Sequence, residues 1–116
     1  MKYLLLLYGD ADAEAALAPD DRRAIVREHM AFHEGLQRRG QLVRGEPLAG
    51  QEGVFSVRLG PDGSRLVTDG PFAETKEHLG SYYIIECSGR DDAEAAAREV
   101  PASPGLVVEL WPIAEM

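Results

Sequence analysis

The sequence predicts an α+β fold in which two strand–helix–strand units flank an inserted β-hairpin. Three observations lead there. Residues 2–8 and 82–87 are strongly apolar runs of strand length, and each is followed by a helical pattern. Between them, Gly60-Pro61-Asp62-Gly63 is a strong turn signal joining two short strand-like segments. The 116 residues suit one domain, and no linker or internal repeat divides them.

Taken in order, residues 2–8 form a continuous apolar run ended by Gly9-Asp10, which predicts a central strand buried on both faces. Residues 11–18 are alanine-rich and predict an irregular or partly helical connection. Pro19 suits a first helical turn, and Asp20 and Asp21 suit its positive end, so a helix is predicted from there to about Arg39, stopped by Gly40. Ile25, His29, Phe32 and Leu36 recur at helical spacing and share its apolar side. Residues 42–48 predict a short strand interrupted by Gly45-Glu46-Pro47. The hairpin strands fall at 54–59 and 65–69, the second broken by Asp69-Gly70-Pro71-Phe72. A strand at 82–87, a helix at 91–100 with Ala93, Ala96, Ala97 and Val100 inward, and a last edge strand at 106–113 complete the chain.

Without the hairpin this is the split βαβ arrangement of a ferredoxin-like βαββαβ fold. Right-handed crossovers put both helices on one face of the sheet. The other face then carries large apolar residues with nothing to cover them, which costs about 25 cal/mol per Å² left in water. Packing two such faces across a twofold axis covers both, so a homodimer through the open sheet face is expected.

The formal charge of −8 disfavours nucleic acid and anionic lipid as partners. Arginines 22, 23, 27, 38 and 39 are interleaved with acidic residues and read as a solvated helix face. Cys87 is the only cysteine and falls in an apolar strand, so a reduced, cytoplasmic protein is expected. The leucine run 4–7 is too short for a secretory core, and no segment approaches the roughly 20 apolar residues of a membrane span.

His29 is the first candidate for chemistry. Its place on the apolar stripe aims it at the sheet, where it either bonds a backbone carbonyl in the core or faces a wet pocket as a proton-transfer group. Asp69 is the second: the rigid Gly70-Pro71 bend, with Phe72 anchoring it in the core, could aim the carboxylate into a cleft as the partner of His29. The bland alternative is that Asp69 bonds its own turn amides. Tyr8, Phe32, Glu46, Gly70, Pro71 and Phe72 are the expected substrate-binding residues. His33 lies four residues from His29, but no third ligand is apparent and no metal site is expected. The polar group Glu74, Lys76, Glu77 and His78 reads mainly as solvated surface, with a substrate-facing lid as the minor reading. No cofactor motif is present.

The stretch Asp69-Gly-Pro-Phe-Ala-Glu-Thr-Lys-Glu-His-Leu-Gly80, followed by Ser-Tyr-Tyr-Ile-Ile-Glu86, resembles the signature of DGPF proteins within the YCII-related family. The opening Met-Lys-Tyr-Leu-Leu-Leu-Leu-Tyr-Gly-Asp and Gly40-Gln-Leu-Val-Arg-Gly-Glu-Pro-Leu48 are similar to it as well. The resemblance spans nearly the whole chain. It implies a dimeric α+β barrel of ferredoxin-like subunits. It also implies a histidine and an aspartate in a cleft, the histidine falling on His29 and the acid carried to Asp69. The expected function is cofactor-independent proton transfer, of lyase or isomerase type, on a small-molecule ligand. The alternative is a non-catalytic partner of an extracytoplasmic-function sigma factor.

Overall fold

Four strands form one antiparallel sheet in the order β2-β5-β1-β6. The computed structural model describes residues 1–73, 75 and 77–116. The sheet strands are β1 (Lys2–Asp10), β2 (Leu42–Pro47), β5 (Glu77–Glu86) and β6 (Val107–Pro112). The hairpin β3 (Phe55–Leu59) and β4 (Arg65–Asp69) forms a second sheet of its own. Helix α1 (Ala11–Ala15) precedes the long α2 (Pro19–Arg38), which connects β1 to β2, and α3 (Arg90–Arg98) connects β5 to β6. Each such connection skips one strand, and the skipped strand runs antiparallel between the two it joins. This is the ferredoxin-like α+β arrangement.

Local chemistry sets the element ends. Pro19 opens α2, where a missing N–H costs nothing, and Asp20 and Asp21 lie in its first turn. At the other end Gly40 takes φ +70°. Its N–H donates to Gln37 O at 3.0 Å, and the Gln41 N–H donates to Leu36 O at 2.9 Å. These two bonds satisfy orphan carbonyls of the last turn in a Schellman arrangement. The expected connection at 11–18 contains the single turn α1, capped by the Asp10 carboxylate accepting from the Ala13 N–H at 3.1 Å.

One face of the sheet is the core. Tyr3, Leu5 and Leu7 of β1 and Tyr83 and Ile85 of β5 pack under Phe32 and Leu36 of α2 and Ala93, Ala96 and Val100 at α3. Leu5, Leu36 and Ile85 are fully buried. On the opposite face Leu4 and Leu6 of β1 and Ile84 of β5 are half-buried, and Trp111 of β6 is exposed. The expectation that β1 is buried on both faces is therefore corrected for one chain. Helices α2 and α3 lie on one side, and none of the described residues covers the other.

Three further expectations change. The strand at 42–48 is not interrupted at Gly45: β2 continues to Pro47, with Gly45 opposite Tyr83, and its irregularity lies between Leu42 and Arg44. A Cβ on Gly45 would stand 2.5 Å from Tyr83 Cδ1, so glycine is there for the neighbouring ring and not for a break. The strand expected at 82–87 begins earlier, at Glu77, because it continues beyond a bulge beside Gly80. Phe72 does not anchor its loop: it is 81 % exposed. The bend is held instead by the hairpin, with the Gly70 N–H donating to Val54 O at 2.7 Å and Ser56 Oγ–H donating to Gly70 O at 2.8 Å.

Candidate functional site

A cleft of about 730 Å³ opens between α2 and the sheet. Its roof is the side of α2 that carries Ile25, His29, Met30 and His33. Its floor is Leu7 and Gly9 of β1, Gly45 of β2, and His78, Ser81 and Tyr83 of β5. Glu14, Ser103 and Leu106 close one end. The volume suits a small organic molecule, and the mixed apolar and polar walls suit one that must be oriented.

His29 lies in this roof, as its place on the apolar stripe predicts. It is half-buried, and burial pushes its imidazole below the ordinary value, only partly offset by the charge of Glu28. The ring is therefore neutral around pH 7 and holds a lone pair able to take a proton. His33, one turn on, faces the same cleft rather than solvent, its ring tilted against that of Tyr83 with centroids 6.3 Å apart. Burial raises the Tyr83 phenol, which stays protonated at neutral pH.

The other expected site residues separate. Glu46 lines the cleft at the β2 edge, and its carboxylate also meets Arg44 at 3.4 Å. Tyr8 borders the cleft, and burial, then the Glu109 carboxylate on the open face, raise its phenol. Phe32 lies in the core beneath, not in the cleft wall. Asp69 is exposed at the end of β4, opposite Phe55, and neither it nor Gly70, Pro71 or Phe72 is among the cleft-lining residues. One chain does not bring Asp69 and His29 into one wall, because the bend is tied into its own hairpin.

The cleft holds a carboxylate–imidazole pair of different membership. His78 Nε2 and Glu14 Oε2 are 2.6 Å apart, and the His78 side chain is only 14 % exposed. Two backbone features create this pair. Leu7 pairs with Ser81 but Tyr8 pairs with Leu79, so Gly80 is an extra residue that bulges β5. The bulge shifts the alternation and sets His78 opposite Gly9, on the helix side of the sheet. Without it, His78 would share the open face with Tyr82 and Ile84. Gly9 then leaves room above β1 that a Cβ would take from the Glu14 carboxylate. The expected surface character of His78 is thus overturned; its neighbours Glu74 and Lys76 lie outside the described residues. The signal in the sequence was a lone glycine within a strand pattern.

Among the described residues no group of three or more His, Cys, Asp or Glu could hold a metal ion, and no helix is long and apolar enough to cross a membrane.

The fold and this helix-roofed cleft define a ferredoxin-like α+β protein with a ligand-sized site on the helix side of its sheet. The family model of the YCII-related domain matches residues 1–116, and the chain belongs to that family. It is similar to an uncharacterised protein of Rhizobium meliloti (strain 1021), with 31 % identity over 100 residues, covering 86 % of this chain and 80 % of the relative.

Proposed function

We propose that the protein binds a small organic molecule in the cleft between α2 and the sheet and moves a proton on it, with His29 as the base. The observation that carries this reading is the half-buried imidazole, kept neutral by desolvation, in the wall of a cavity of about 730 Å³. A general base must be unprotonated and within reach of its ligand, and this position supplies both conditions. Lyase or isomerase chemistry fits, because such reactions need only proton movement and an oriented substrate. The DGPF branch of the family and a cytoplasmic location belong to this reading, as does a homodimer joined through the open sheet face. For the dimer, the uncovered Leu4, Leu6, Ile84 and Trp111 are the supporting observation.

The test is a thermal-shift screen of small phenols, ketones and acids on the wild type and His29→Ala. A compound that raises the Tm of the wild type, and is turned over only when His29 is present, supports the reading. A ligand processed equally well by His29→Ala overturns it.

A further inference from the structure

We propose that His78, oriented by Glu14, is a second proton-transfer residue of the cleft, acting from the sheet wall on a carbonyl compound that carries no anionic group. This rests on the reading of the cleft as a proton-transfer site and extends it to a second residue and a ligand class.

The orientation argument is geometric. An ionised Glu14 carboxylate only accepts, so the His78 ring donates to it from Nε2, across 2.6 Å. In the neutral ring the lone pair then resides on Nδ1. A carboxylate that fixes the tautomer and direction of an imidazole is the arrangement used wherever histidine serves as an oriented base. Among the described residues Glu14 is the one side-chain partner of His78. The Gly80 bulge and the side-chain-free Gly9 both serve to bring this pair together on the cleft side.

His29 approaches from the helix roof and His78 from the sheet floor. Two imidazoles on opposite walls suit a proton shift within one ligand. One neutral ring takes a proton from carbon beside a carbonyl, and the C–H electron pair passes to the carbonyl oxygen. The other ring, protonated, delivers its proton to a different atom of the ligand. One proton is gained by the pair and one is lost, so no oxidant or reductant enters.

The wall also selects the ligand. Glu14, Glu34 and Glu46 line the cleft, and among the described residues no lysine or arginine does. A carboxylate or phosphate ligand would meet these three carboxylates, with a protonated imidazole as the one opposing charge among the lining residues described. The apolar Leu7, Ile25 and Leu106 suit a ring or short chain.

The experiment is alkylation by phenacyl bromide, a neutral aryl ketone, beside bromoacetate, an anion of the same reactivity class. The unprotonated ring nitrogen displaces bromide and forms the C–N bond, and the N–H proton of the other ring nitrogen passes to solvent. Peptide mass spectrometry reads the site. The expected result is one phenacyl group per molecule, on His29 or His78 but never both, with bromoacetate slower by about tenfold or more. Glu14→Gln should slow labelling of His78 by about tenfold while that of His29 is unchanged. Glu14→Asp should recover part of the rate. Nitrogen-15 spectra of the histidine rings should show Nδ1 unprotonated at His78 in the wild type and mixed tautomers in Glu14→Gln. Labelling of His29 alone, or of both residues on one molecule, overturns the inference and leaves the proposed function standing. Labelling of neither residue by either reagent overturns both.

Discussion

The rings of Phe32 and Tyr83 meet edge to face, with centroids 5.2 Å apart and planes at 85°. This contact joins α2 to β5 directly beside the cleft. Tyr83 is at once the core partner of Phe32 and part of the cleft floor, so packing and site geometry share one side chain. Phe32→Ala should therefore lose about 3–5 kcal/mol of stability, measured by urea unfolding, because both the transfer energy and the ring contact are removed. A loss below about 1 kcal/mol would mean that the pair does not hold the helix to the sheet.

Gly45 is the opposing test of the same ring. A methyl group there would stand 2.5 Å from Tyr83 Cδ1, and the ring has no easy retreat because Phe32 lies against it. Gly45→Ala should cost about 1–3 kcal/mol, as overpacking does, and should alter the near-ultraviolet circular dichroism of tyrosine. An unchanged tyrosine signal would show that the strands part instead.

Gly9→Ala should behave differently, because the atom in its way is the end of a flexible side chain. The Glu14 carboxylate should swing off His78 while unfolding stability stays within about 0.5 kcal/mol. Nitrogen-15 spectra of the His78 ring would register the loss of its partner. A wild-type spectrum in Gly9→Ala would refute the claim that the space above β1 is needed for the pair.

His29 gives a pH signature with a definite sign. Burial lowers its folded-state pKa from the model-peptide value of 6.5, so protonation favours the unfolded chain. The neutral ring's contribution is present above that value and is lost as pH falls through the lower, folded-state one. The Tm of the wild type should therefore fall faster than that of His29→Gln as pH drops below about 6.5. Parallel curves would place the imidazole in solvent.

The open sheet face predicts association. Leu6 is half-buried on that face, away from the helices, so Leu6→Glu should leave the chain folded but prevent dimer formation in sedimentation at micromolar concentration. A wild type that sediments as a monomer would remove the homodimer from the reading.

The helical side of the sheet was legible from the residues themselves. Pro19 and Gly40 mark the ends of α2, and the spacing of His29, Phe32 and Leu36 selects its inner side, because side chains three and four apart on a helix must share a face. The alternation in β1 likewise follows from strand geometry. Glu46 was found as a cleft residue, whereas Phe32, on the same stripe as His29, went to the core. A stripe defines a side of a helix, and only the docking of that helix on Tyr83 divides the side into core and cleft wall.

The sequence by itself determined the elements, their order and the placement of His29 toward the sheet, since these depend on local spacing and on apolar periodicity. Tertiary structure decided which polar groups meet. The hydrogen bonds of Gly70 and Ser56 keep Asp69 with the hairpin. The one-residue bulge at Gly80 turns His78 inward to Glu14, sixty-four positions away in the chain. A shift of one residue reverses every side chain beyond it, and whether that shift occurs depends on the strand alongside, not on the residues that move.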